Sequence, residues 1–103
     1  MKIRRASFKD GSFSHWLYFC PACEAPHQLD KRWTFNGDMD KPTFRNSVLV
    51  HPVPAAGIPK CHSYITDGVI AYLADCTHAM AGKSVPIPEW PWPTGSFGGI
   101  DEP

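Results

Sequence analysis

No stretch of this sequence approaches the ~20 consecutive apolar residues that a membrane-spanning helix needs, and no continuous apolar segment of signal-peptide type opens it. A membrane role is disfavoured, and a cytoplasmic protein is expected. Net charge is missing too: ten basic residues balance ten acidic ones, so no global field draws the chain onto a polyanion, and nucleic acid is not an expected partner. Breaker-free length is scarce. Eleven prolines and eight glycines cut the 103 residues into short pieces, which excludes long helices because proline lacks an N–H and clashes with the preceding turn. Nor is there an HExxH, an HxE followed by PCxxC, a glycine-rich phosphate loop, a repeat or a heptad pattern.

What is present suits a small, mainly β fold. Apolar residues make up 43% of the chain and aromatics 13%, enough for one packed interior at a size where a second core is not expected. Ser12 to Phe19 (SFSHWLYF) reads as a strand that packs on both faces. It leads directly into Cys20-Pro21-Ala22-Cys23, after which His27 to Phe35 is placed to return antiparallel, the layout of a zinc ribbon. Asn36-Gly37-Asp38 makes a polar turn, Ser47 to His51 (SVLVH) a buried strand, and Pro52 to Lys60 an irregular connection. CHSYI and VIAYL flank Thr66-Asp67-Gly68, the signature of a tight β-hairpin. Ala79-Met80-Ala81 before Gly82 predicts a single helical turn. Pro86 to Pro93, with Trp90 and Trp92, reads as extended, its rings either packing on a sheet edge or awaiting a partner. The expected architecture is a zinc-ribbon-like antiparallel β domain over residues 1–94, with hairpins and at most one short helical turn, and a flexible tail over 95–103.

Four cysteines in a reducing compartment, two of them two residues apart, point to metal rather than disulfides. A tight turn between Cys20 and Cys23 aims both thiolates at one ion, and zinc is the expected cofactor. The remaining ligands must come from the second half. Cys61 and Cys76 flank the predicted hairpin and complete a set of four thiolates, Cys20, Cys23, Cys61 and Cys76; His27, His62 and His78 are alternative ligands. Adjacent strand residues point to opposite faces, so Cys61 and His62 do not both reach one ion. If the site is a reaction centre instead, His62, Asp75 and His78 are the residues left for chemistry around an open coordination position.

CPAC with His27, then FNGDMDKPTF, then CHSYITDGVIAYLADCTHAMAGKSVPIPEW, resembles a family of small uncharacterised proteins of bacteriophages and bacterial prophages. The label of ammonia monooxygenase that such proteins often carry does not suit a chain without a membrane span. The resemblance implies a phage or prophage setting inside the bacterial cytosol and a metal site at the matching Cys and His positions. The expected function is a zinc-binding accessory or interaction protein with a host or phage protein as partner; the alternative is a small metal-dependent hydrolase or nucleotide-processing enzyme.

Overall fold

The computed structural model describes residues 2–92 and 100–102. Its strands, in chain order, are β1 (Ile3–Ser7), β2 (Phe13–Cys20), β3 (Ala25–Leu29), β4 (Thr34–Phe35), β5 (Phe44–Val50), β6 (Cys61–Thr66), β7 (Val69–Tyr72), β8 (Ser84–Pro86) and β9 (Ile100–Glu102). They form two antiparallel sheets in the orders β3-β2-β1-β9 and β4-β5-β6-β7-β8. The mainly β, antiparallel class read from the proline and glycine content is the class observed. The expected domain boundary at residue 94 lies outside the described residues. No helix among the described residues is long and apolar enough to cross a membrane.

The main core lies between the sheets. Tyr18 and Leu29 of the first sheet meet Phe44, Ile65, Ile70 and Tyr72 of the second in one buried cluster that also holds Cys20 and Cys61. Strand alternation sends Leu17 to the opposite face from Tyr18, and there it packs with Ala6 and Trp90 in a second cluster. The aromatic segment therefore does pack on both faces. Trp90 is buried, and Trp92 sits edge-on to it and to Phe19 at 5.2 and 5.3 Å between ring centres. Of the two roles open to these rings, the structure shows packing on a sheet face.

The CPAC turn joins β2 to β3, which pair from Trp16↔Leu29 to Cys20↔Ala25. The segment from His27 to Phe35 is not one strand, however. Asp30 accepts the Arg32 backbone N–H at 3.0 Å and its carbonyl accepts that of Trp33 at 3.2 Å. The chain turns there, so β3 stays with the first sheet while β4 joins the second. The β6–β7 hairpin forms as expected, with Asp67 and Gly68 at φ of 50° and 78°, the pair of left-handed residues that a two-residue hairpin turn needs.

The helical turn expected at Ala79–Gly82 is instead a pair of tight turns, with Ala81 N–H on the His78 carbonyl and Lys83 N–H on that of Met80. The His78 ring captures the Met80 N–H through Nδ1 at 3.2 Å, which competes with helix formation. The one 3₁₀ turn among the described residues is Pro54–Ala56, with proline in its first turn.

Candidate active site and metal centre

Cys20 ends β2, Cys23 closes the turn after it, His27 lies on β3 and Cys61 opens β6. Their ligand atoms lie within 4.8 Å of one another, close enough to hold a metal ion. The donor set fits one. Three thiols and an imidazole are a familiar zinc set, and His27 Nε2 is buried with no hydrogen-bond partner among the described residues, as expected of a nitrogen reserved for a cation. The neighbours suit thiolates: the Tyr72 hydroxyl is 3.1 Å from Cys20 Sγ and His78 Nε2 is 3.4 Å from Cys61 Sγ. Because His78 Nδ1 accepts the Met80 N–H, its Nε2 carries the proton and donates to the sulfur. Hydrogen bonds from Cys61 first, and also from Tyr72, pull the Cys20 thiol well below its ordinary range, whereas burial raises that of Cys23 to about 11.

Cys76 stands outside this group. Its Sγ is 3.2 Å from both the backbone nitrogen and the backbone oxygen of the next strand residue, His62. His62 in turn points away from Cys61, as strand alternation demands, and its ring bridges two side chains. Nδ1 is 3.1 Å from Asp75 Oδ2, and Nε2 is 3.1 Å from Ser47 Oγ. A carboxylate has no proton to give, so Nδ1 is the donor to Asp75, and the lone pair on Nε2 is left to accept the Ser47 hydroxyl. The Lys60 ammonium shares the same carboxylate oxygen at 2.9 Å. Hydrogen bonding by Lys60, then by His62, holds the Asp75 carboxyl below the ordinary carboxylate range.

Ser47 has its position from strand alternation. β5 and β6 pair at Val48↔Ser63 and Leu49↔His62, so Ser47, two residues before Leu49, lies on the same face as His62. The irregularity between Phe44 and Val48, where four steps on β5 oppose two on β6, is an even offset and leaves that face unchanged. The Ser47 carbonyl accepts the Trp33 indole N–H at 3.2 Å. Ser47 also lines a cavity of about 170 Å³, together with Arg32, Trp33 and Asn46.

Of the residues singled out from sequence, Cys20, Cys23, Cys61 and His27 come together in one group, and His62 and Asp75 in another. His78 borders the first group and is not in contact with Asp75 in any interaction described. Ser47 was not signalled by sequence. Its strand was, but a serine in SVLVH carries no local mark of reactivity, and its partners lie 15 and 28 positions further along the chain.

Residues 3–73 match a family described as bacterial ubiquitination-like system serine protease (BubE). The match contains the four clustered donors, Ser47 and His62, and ends two residues before Asp75. No curated protein and no solved structure matches the chain.

Proposed function

The chain belongs to this BubE family, and we propose that it is a serine protease in which Ser47 is the nucleophile, His62 the general base and Asp75 the carboxylate that orients it. The observation that carries this reading is the His62 ring, hydrogen-bonded through one nitrogen to a hydroxyl and through the other to a carboxylate. A serine hydroxyl is a weak nucleophile until a base takes its proton as it attacks. Here Ser47 Oγ adds to the substrate carbonyl carbon while its proton passes to His62 Nε2, and Asp75 stabilises the resulting imidazolium. His62 then returns the proton to the leaving amine as the C–N bond breaks, leaving an ester on Ser47. Water, deprotonated by His62, attacks that ester, releases the carboxylic acid and restores the hydroxyl.

We assign zinc to Cys20, Cys23, His27 and Cys61, as a structural ion. Four protein ligands leave no position for a reactive water, which favours the serine mechanism over the metal-dependent hydrolase that His62, Asp75 and His78 suggested from sequence. In the accessory-protein reading, the scaffold would be the whole function; the bridged imidazole is what favours catalysis. The substrate in this reading is a protein of a bacterial ubiquitination-like system, which the family description supports. The setting is the bacterial cytosol, as four unpaired thiols and the resemblance to phage and prophage proteins suggest.

A fluorophosphonate probe tests the assignment directly. The wild-type chain is expected to be labelled at Ser47, and Ser47→Ala to lose labelling and to lower peptide hydrolysis by ~10⁴-fold or more with thermal midpoint and metal content unchanged. A Ser47→Ala protein as active as wild type would refute it.

A further inference from the structure

Asp75 lies outside the strands, in the loop after β7, and its side chain is 44% exposed. Two donors converge on its Oδ2 atom, His62 Nδ1 at 3.1 Å and Lys60 Nζ at 2.9 Å. An exposed aspartate has several side-chain rotamers open to it, and any that carries Oδ2 off the imidazole ends its contact with the base. What fixes this carboxylate therefore matters to Ser47.

Lys60 is itself fastened to the same loop. Its backbone N–H donates to Thr77 Oγ1 at 2.8 Å, and its carbonyl accepts the Thr77 N–H at 3.0 Å. On the other side of Asp75, the Leu73 N–H donates to the His62 carbonyl at 2.9 Å. The loop is thus tied to the start of β6 both before and after Asp75, and the Lys60 side chain reaches back across that span to the carboxylate.

Resting on the protease reading above, we propose that Lys60 is a positioning residue of this site: it holds Asp75 Oδ2 against His62 and acts on Ser47 only through that carboxylate. A cation on Asp75 has two opposed effects. Its charge weakens the stabilisation that the carboxylate gives to the imidazolium, whereas its hydrogen bond fixes the oxygen that the imidazolium needs. At an exposed pair water screens the charge, while a displacement of about 1 Å in a catalytic constellation can cost on the order of 100-fold in rate. Positioning therefore outweighs charge, and losing Lys60 slows the reaction.

The test is the rate of Ser47 labelling by the fluorophosphonate probe over a range of probe concentrations, which separates the labelling step from probe binding. Lys60→Met should slow the labelling step by about 10-fold, with probe binding, metal content and thermal midpoint unchanged. Lys60→Arg should recover most of the loss, because it restores both a donor and a charge. In a chain already carrying Asp75→Ala, Lys60→Met should cost nothing further, whereas a merely structural lysine would slow both backgrounds alike. Where Lys60→Met melts lower, the same comparison is made at a temperature at which all the variants are folded. Labelling of Lys60→Met as fast as wild type or faster, or an equal further loss on top of Asp75→Ala, overturns the positioning role and leaves the protease reading standing. Failure of the probe to label wild-type Ser47 overturns both.

Discussion

Asp75 serves two donors, and its titration reports on both. Its carboxyl is held below the ordinary value of 3.8, by Lys60 first and His62 second. For a carboxyl depressed by folding, the stabilising contribution is complete above the unfolded value and is lost as pH falls through the lower folded one. Lys60→Met removes the larger cause, so the Asp75 midpoint should move upward in a carboxyl-carbon NMR titration; an unmoved midpoint would contradict the pairing. Cys76 acts on the same site through backbone. Its sulfur touches both polar atoms of the His62 main chain, so Cys76→Ala should leave metal content unchanged while slowing Ser47 acylation by roughly 10- to 100-fold through a displaced base. Loss of metal would instead mark the thiol as a ligand. At this scale the sequence was half legible. His62 and Asp75 stand out as titratable groups without a settled structural task. Ser47 does not, because what distinguishes it is a distant neighbour on the next strand rather than its own surroundings in the chain.

Strands and turns show a similar division. The β6–β7 hairpin is readable because Asp-Gly demands backbone angles that few dipeptides adopt. Gly68 has a second duty: a Cβ there would stand 3.1 Å from the Asp40 carbonyl oxygen and 3.2 Å from Lys41 Cα, at a φ of 78°. Gly68→Ala should therefore destabilise the fold by about 1–3 kcal/mol, measured by denaturant titration; a change within error would remove the close approach as a constraint. The break between β3 and β4 was not readable. HQLDKRWTF has no proline or glycine, and the chain is turned by Asp30, whose carboxylate takes the Arg32 N–H and whose carbonyl takes that of Trp33. The same turn places Arg32 and Trp33 beside Ser47, so the feature that local propensity hides is also the one that shapes the cavity.

For the molecule as a whole, the donor cluster and the core are one body. Cys20 and Cys61 belong to the same buried cluster as Tyr18, Phe44 and Ile65, and the four donors span both sheets. In so small a domain, ion binding contributes directly to folding free energy. Chelation should therefore lower the thermal midpoint and abolish the near-ultraviolet circular dichroism of the packed aromatics. A metal-free chain with an unaltered midpoint would show that the sheets hold without the ion. The close pair in CPAC made a cluster of donors legible, and strand alternation separated Cys61 from His62. That His27 rather than Cys76 joins the cluster was not legible, because it depends on where the loop after β7 lands and on which side of β3 faces the turn.

One dipeptide carries a wider consequence. Cys61 looks inward to the other thiols and His27 while His62, its neighbour on the pleat, looks outward to Ser47. Deleting or inserting a single residue at the start of β6 would exchange the two, offering sulfur to the hydroxyl and imidazole to the thiol cluster. The donor cluster and the serine contact are thus locked to the same register, and neither can drift along the strand without ruining the other.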